Sequence, residues 1–188
     1  MSSRLVIERI ATEEVLREGA TAEELLLVGQ FGSASRRSES LAWRAIVRRE
    51  LGNEVTIFHD EYGAPKVDKT GNFISVSHSR DRVAVLFSDG VCAIDIESVE
   101  RDFRKVANHY LSAEEQRLAE RYDLYAEMWS AKEALYKYHS KGGVDFVKDV
   151  VVTDYYGERG VLKCTIFGGE PIEVKVWRED NLVIAVID

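Results

Sequence analysis

The chain has 188 residues, 45% of them hydrophobic and 31% charged, a composition typical of one folded domain or two packed lobes and unlike that of a disordered chain. Acidic side chains outnumber basic ones by 33 to 25, and the net charge of −8 argues against nucleic acid as the main partner. The N-terminal residues include no apolar run of signal-peptide length, and no segment approaches the roughly 20 apolar residues of a membrane span. We therefore expect a soluble, cytoplasmic protein without a membrane partner.

The first 51 residues are predicted to form one strand followed by helices. Residues 5–10 alternate apolar and polar side chains, as a half-buried strand does, and residues 11–27 contain two helical patterns with acidic first turns. A longer helix is predicted over residues 35–51, ended by Gly52. This helix carries five arginines in an otherwise acidic chain, which favour either phosphate binding or a solvated helix face. They are Arg36, Arg37, Arg44, Arg48 and Arg49.

The rest of the chain repeats the order of helices followed by strands. Four apolar runs, VTIFHD, FISVSH, RVAVLFS and VCAIDIE, are predicted to form one antiparallel sheet. The pattern is then helical from residue 101 to residue 140, and four more runs predict strands: DVVVTDYY, GVLKCTIF, PIEVKVWR and NLVIAVID. The sequence therefore predicts an α+β fold with two lobes, residues 1–93 and 94–188, joined in one compact unit.

Two short motifs bring carboxylates together. Asp95 and Glu97 lie two residues apart in the strand-like run AIDIE, so both side chains leave one face of the strand. Paired carboxylates in a crevice favour magnesium, although a solvated strand face is the alternative. In the helical run WSAKEALYK, Trp129, Glu133 and Lys137 share one helix face. Glu133 would complete the metal site beside a phosphate-binding Lys137, or the two would form an ordinary surface ion pair.

The order of SVSHS, AIDIE and WSAKEALYK over residues 75–143 resembles the signature of the 4′-phosphopantetheinyl transferase superfamily, and EYGAPK at residues 61–66 extends the likeness. The resemblance implies transfer of 4′-phosphopantetheine from coenzyme A to a serine of an apo acyl or peptidyl carrier protein of fatty-acid or secondary-metabolite synthesis. It also implies Mg²⁺, or Mn²⁺ in its place, bound by Asp95, Glu97 and Glu133. The two-lobed relatives of the surfactin-synthetase activator are the most similar type. We accordingly expect a monomer with pseudo-twofold lobes, each an antiparallel sheet with packed helices.

Further site residues are implied by the resemblance. A serine nucleophile needs a base, and Glu115, with Glu114 as the substitute, falls where the family places one, beside Glu133 and Lys137 in catalysis. The alternative for Glu115 is a first-turn helix residue after Ser112. The expected contacts to coenzyme A are Arg36, Arg37, Ser40, Gly63, Pro65, Lys66, Ser77, His78 and Lys137.

Two residues depart from the family pattern. Ala64 stands where relatives commonly have the lysine of YGKP, and Lys66 is expected to compensate. Ala93 replaces the glycine of GIDIE, which preserves the strand unless that backbone requires a positive φ. Two other functions stay open: a protein that binds coenzyme A or a carrier without efficient transfer, and a magnesium-dependent phosphate-ester hydrolase.

Overall fold

The computed structural model describes residues 2–68 and 71–188, and within these ranges the chain forms ten strands and five α-helices. The strands are β1 (Ser3–Arg9), β2 (Ile57–His59), β3 (Pro65–Val67), β4 (Phe73–Ser79), β5 (Arg82–Ser88), β6 (Ala93–Ser98), β7 (Val150–Tyr156), β8 (Val161–Ile166), β9 (Ile172–Glu179) and β10 (Leu182–Ile187). The helices are α1 (Glu13–Glu18), α2 (Ala22–Val28), α3 (Ala34–Leu51), α4 (Ala113–Tyr122) and α5 (Tyr125–His139), with short 3-10 helices at Phe103–His109 and Gly157–Arg159. This confirms the predicted α+β class. In the described ranges, no helix is long and apolar enough to span a bilayer.

The described strands form three antiparallel sheets. The first has the order β1-β5-β4, the second has the order β6-β10-β9-β8-β7, and β2 pairs with β3 in a separate hairpin. The prediction of one sheet from the four apolar runs between residues 55 and 97 is therefore wrong. The physical reason is that β6 pairs over its whole length with the C-terminal strand β10, whose six residues are all buried.

The helical run after residue 101 is divided. Asp123 adopts a left-handed φ of 54° and ends α4, so that α5 begins two residues later. The prediction of continuous helical structure after Ser112 is corrected at this point. The start of α4 is set by a capping box, in which the Ser112 side chain accepts from the backbone N–H of Glu115 and the Glu115 side chain accepts from the backbone N–H of Ser112.

Three apolar clusters hold these layers together. The first lies between α3 and the first sheet and contains Trp43 and Val47. The second lies between α5 and the second sheet and includes Met128, which is fully buried. The third joins the two sheets to each other and contains Ile94 and Ile184. The strands of the first sheet come from residues 3–88 and those of the second from residues 93–187; the pseudo-twofold relation and the boundary at residue 93 stay predictions.

Candidate active site

Asp95 lies on β6 at the junction of the two sheets and is only 5% exposed. Its Oδ1 accepts hydrogen bonds from Ser77 Oγ at 2.9 Å and from Lys137 Nζ at 2.8 Å. Its Oδ2 is buried and has no hydrogen-bond partner among the described residues. A buried carboxylate oxygen without a partner is unfavourable, so this atom is suited to an external ligand such as a cation.

Glu97, two residues further along β6, is held by donors from β4, from α5 and from the loop after β6. Its Oε1 accepts from Trp129 Nε1 at 3.1 Å and from an Arg101 guanidinium nitrogen at 2.8 Å, and its Oε2 accepts from Ser79 Oγ at 3.1 Å. The Arg101 guanidinium also lies over the ring of Trp129, with 5.1 Å between its central carbon and the ring centroid. The Glu97 carboxylate therefore has a defined orientation.

Helix α5 presents Glu133 and Lys137 toward β6. Burial, together with the neighbouring Asp95 and Glu97 carboxylates and against the opposing charge of Lys137, raises the pKa of Glu133 from 4.5 to about 6. The Lys137 ammonium donates to Asp95 Oδ1 and to the backbone carbonyl of Ile94 at 3.0 Å. Asp95, Glu97 and Glu133, with Lys137 bonded to Asp95, are called the acidic centre here.

The described residues contain no group of three or more His, Cys, Asp and Glu side chains placed to hold a metal ion by themselves. The donors nevertheless fit magnesium in kind. Asp95 offers a free buried oxygen, and the Glu133 carboxylate is disfavoured in its ionised form by burial and by Asp95 more than Lys137 compensates. Because magnesium keeps several waters and takes one or two carboxylates plus substrate phosphates, an incomplete protein cage is the arrangement it uses.

A cavity of about 570 Å³, the larger cavity, opens beside this centre. Four expected contact residues line it: Gly63, Pro65, Lys66 and Lys137. Its walls also carry apolar side chains that are partly exposed, namely Phe58, Tyr62, Phe73, Val91 and Tyr136. Lys137 lines this cavity and also donates to Asp95, so a ligand in the larger cavity would contact a side chain that is bonded to the acidic centre.

A smaller cavity of about 260 Å³ lies between α3, β4 and the β2–β3 hairpin. Three expected contacts, Arg36, Ser40 and His78, line it together with Arg44. Burial lowers the pKa of Arg44 to about 10, which leaves the side chain cationic at neutral pH. Pro65 and Val76 line both cavities, so the two adjoin.

The five arginines of α3 have different environments. Arg37 donates to Glu13 and to the carbonyl of Phe31, both at 2.9 Å, and does not line the smaller cavity. The structure gives no support to the prediction that Arg37 contacts coenzyme A, because its guanidinium already pairs with the Glu13 carboxylate of α1. Arg48 forms a buried ion pair with Glu24, and Arg49 pairs with Glu8 and Glu50. Only Arg36 and Arg44 face the smaller cavity.

Glu115 lies apart from the acidic centre in its contacts. It is 2% exposed, and its Oε1 accepts from Lys132 Nζ at 2.6 Å and from the backbone N–H of Val152 at 2.8 Å. Its Oε2 accepts from the N–H of Ser112 in the capping box. These contacts favour the structural alternative, and its assignment as the base stays a prediction. Its alternative, Glu114, forms an exposed pair with Arg117.

The two departures from the family pattern are accommodated by the backbone. Ala64 closes a turn in which its N–H donates to Asp60 Oδ1 at 2.9 Å, and Gly63 has a φ of 84° that favours glycine. Lys66 lines the larger cavity with its ammonium 3.4 Å from Asp60. Ala93 pairs with Ile187 as a regular strand residue and has no positive φ, so the missing glycine leaves β6 intact.

Alternate side chains of β4 make contacts that the sequence reasoning missed. The hydroxyls of Ser75, Ser77 and Ser79, called the serine ladder here, each accept a hydrogen bond from a backbone N–H of β6. Ser77 and Ser79 also donate to the two β6 carboxylates. The signal was the shared two-residue period of SVSHS and AIDIE, which would align the serines with the acids if the strands ran side by side.

The acidic centre thus lies beside cavities whose linings include Lys137, Arg36 and Arg44, side chains of the kind that bind phosphate. The family model described as the 4′-phosphopantetheinyl transferase superfamily matches residues 91–187, just over half of the chain. The chain belongs to this superfamily, whose members act with coenzyme A on carrier proteins. A search of curated proteins found no match. The match includes the acidic centre, whereas Arg36 and His78 lie outside it.

Proposed function

We propose that the protein transfers 4′-phosphopantetheine from coenzyme A to a serine of an apo acyl or peptidyl carrier protein, leaving adenosine 3′,5′-bisphosphate. One observation supports the proposal: Asp95 keeps a buried oxygen without a partner among the described residues, its charge and that of Glu97 act on Glu133, and Lys137 connects Asp95 to the larger cavity. This arrangement suits a cation and a phosphate-bearing substrate at one place.

Asp95, Glu97 and Glu133 would hold Mg²⁺, or Mn²⁺ in its place. When bound, the metal supplies Lewis-acid stabilisation of charge on the pyrophosphate of coenzyme A. Lys137 would contribute a second positive charge to the phosphates once it leaves Asp95 Oδ1. The serine oxygen would form the new bond to phosphorus as the bond from that phosphorus to the oxygen of adenosine 3′,5′-bisphosphate breaks, and the serine proton would pass to a base or to solvent. Positioning by these side chains would supply most of the rate gain.

The remaining contacts to coenzyme A would come from the two cavities. Arg36 and Arg44 bring positive charge to the smaller cavity, which suits a phosphate group, and Ser40 lines it beside them. His78 lines it too, with its Nε2 3.5 Å from the Glu39 carboxylate of the same wall. Gly63, Pro65 and Lys66, together with the apolar side chains of the larger cavity, suit the less polar pantetheine arm. We place the protein with the monomeric, two-lobed type related to the surfactin-synthetase activator.

The test is incubation of purified protein with Mg²⁺, coenzyme A and a panel of apo carrier proteins, followed by intact-mass measurement of each carrier. We expect one carrier or more to gain the mass of a single phosphopantetheine group. Binding of coenzyme A with every competent carrier unmodified would instead favour the binding protein. Cleavage of coenzyme A without carrier modification would favour the hydrolase.

A further inference from the structure

Strand β4 and strand β6 lie side by side at the junction of the two sheets, yet they belong to different sheets. The serine ladder connects them. The backbone N–H groups of Ile94, Ile96 and Ser98 donate to Ser75, Ser77 and Ser79 at 3.0, 3.2 and 3.1 Å. The sequence separation is 19 residues in each case, so the two strands run in the same direction in constant register.

Two rungs of the ladder have a second contact. Ser77 Oγ donates to Asp95 Oδ1 at 2.9 Å, and Ser79 Oγ donates to Glu97 Oε2 at 3.1 Å. A serine hydroxyl has one proton to donate, and in each of these two serines that proton forms the hydrogen bond to the carboxylate. In this structure the Ser77 proton therefore serves Asp95, which favours orientation of that carboxylate over the expected direct contact with coenzyme A.

These bonds also determine which carboxylate oxygens stay available. On Asp95, Ser77 and Lys137 both occupy Oδ1, and Oδ2 is left buried without a partner among the described residues. On Glu97, the Ser79 bond holds Oε2 while two other donors hold Oε1. Residues behind metal ligands orient them and commonly change metal affinity 10–100-fold when removed.

We propose that Ser77 and Ser79 are positioning residues that orient the Asp95 and Glu97 carboxylates for the cation, with no contact of their own to coenzyme A. The inference rests on the proposed function, since it concerns the same acidic centre. Ser75 supplies a comparison within the ladder for metal binding, and it differs from Ser77 and Ser79 in that it also lines the larger cavity. It accepts from Ile94 as the other serines accept from their amides and is similarly buried at 6% exposure, yet it has no carboxylate partner among the described residues.

The experiment measures Mn²⁺ affinity by electron paramagnetic resonance, with coenzyme A present, for wild type, Ser75→Ala, Ser77→Ala and Ser79→Ala. All three substitutions leave one buried amide without its partner, and Ser77→Ala and Ser79→Ala also remove a donor to a carboxylate, so their melting temperatures should fall at least as far as that of Ser75→Ala. We expect the Mn²⁺ affinity of Ser77→Ala and Ser79→Ala to drop roughly 10–100-fold below that of Ser75→Ala. Raising the metal concentration should restore their transfer rates, which a general loss of folded protein would not allow.

Two further measurements keep the test decisive. Coenzyme A affinity in the presence of a chelator should be the same in Ser77→Ala and in the wild type. Ser77→Cys, which nearly keeps the volume but donates weakly, should show a smaller loss of Mn²⁺ affinity in the same direction, and it serves if Ser77→Ala fails to fold. Equal Mn²⁺ affinities in all three alanine variants, or a loss of chelator-independent coenzyme A binding specific to Ser77→Ala, would overturn the inference alone. A wild type that binds no Mn²⁺ would overturn the proposed metal site as well.

Discussion

Arg36 and Arg37 are adjacent in the sequence, but only Arg36 has a guanidinium that faces a cavity and is open to a ligand. Arg36 lines the smaller cavity, whereas Arg37 is held by Glu13 and the Phe31 carbonyl. Consecutive helix residues point about 100° apart, so neighbouring arginines do not share one environment. This difference makes the pair an internal comparison for phosphate binding.

Arg36→Ala is predicted to raise the KM for coenzyme A roughly 10- to 100-fold, the size expected for one charge-assisted hydrogen bond. Arg37→Ala should leave it within about twofold, although loss of its ion pair will lower stability slightly. Steady-state kinetics with coenzyme A and with 3′-dephospho-coenzyme A provide the check. If Arg36 binds the 3′-phosphate, its alanine variant should no longer distinguish the two substrates; an unchanged preference would exclude that contact.

The charge of Glu133 is expected to lower the stability of the metal-free protein and yet to be required for transfer. Burial and the adjacent carboxylates raise its pKa from 4.5 to about 6, so the ionised form is disfavoured in the folded state. Below pH 4.5 the group is protonated whether folded or unfolded and costs nothing; above about pH 6 its charge lowers stability. Glu133→Gln should therefore stabilise the metal-free protein at pH 7.5 by at most about 2 kcal/mol.

Urea unfolding in the presence of a chelator measures this effect, with the same experiment at pH 4.5 as the control, where the two proteins should differ little. Transfer by Glu133→Gln should nevertheless be lost, since an amide is a poor magnesium ligand. A variant that is less stable than wild type at pH 7.5 would show that the Glu133 charge is compensated in the folded protein.

At the scale of elements, a buried ion pair links α4, α5 and β7. Lys132 is 0% exposed, and its ammonium donates to Glu115 Oε1, to the Phe146 carbonyl at 2.7 Å and to the Val150 carbonyl at 2.6 Å. Lys132 directly precedes Glu133 on α5, so these bonds fix the helix turn that presents Glu133 to the acidic centre. Burial lowers the pKa of Lys132, and the Glu115 charge opposes that shift.

Lys132→Met is predicted to destabilise the protein by about 3–5 kcal/mol, because it leaves Glu115 buried without its partner. Lys148→Met is the control: its surface pair with Asp145, at 80% side-chain exposure for Lys148, should contribute under about 1 kcal/mol. Denaturant unfolding measures both variants. The double variant Lys132→Met with Glu115→Gln should recover part of the loss, and an unfolding free energy equal to that of wild type for Lys132→Met would contradict the structural role.

The sequence predicted most elements well because their periodicity is local. The helix over residues 35–51 was expected from its apolar spacing and is observed as Ala34–Leu51, and the four C-terminal strands were all expected from alternation and turn glycines. Strand pairing was predicted less well. The strand β6 was expected in a sheet with the strands just before it, but it pairs with β10, some 90 residues away along the chain. A local pattern contains no information about such a partner.

In the candidate site, too, the local spacing of residues was predicted from the sequence and the long-range contacts were not. The two-residue spacing of Asp95 and Glu97 and the four-residue spacing of Glu133 and Lys137 correctly place each pair on one face. The contacts that orient them depend on long-range packing, as in Ser79 with Glu97. The capture of Arg37 by Glu13 likewise requires α1 to lie against α3, which neither segment alone predicts.

At the scale of the whole molecule, the acidic centre lies where the two sheets meet. The third apolar cluster joins the sheets, and β4 and β6 contact each other through the serine ladder beside it. Both cavities are lined largely from residues before position 91, whereas the carboxylates follow it. A functional site would therefore require both parts of the chain to be folded together.

If phosphopantetheine transfer takes place at the acidic centre, it should depend on the charge of Asp95, and a comparison of wild type with Asp95→Asn measures this dependence. Asparagine keeps the size of aspartate and an oxygen that accepts from Ser77, so the variant should fold, while its cation site loses a charge. Intact-mass measurement over time, on a carrier that wild type modifies with Mg²⁺ and coenzyme A, should show addition of one phosphopantetheine at least about 100-fold more slowly with Asp95→Asn. Equal rates for the two folded proteins would contradict the account.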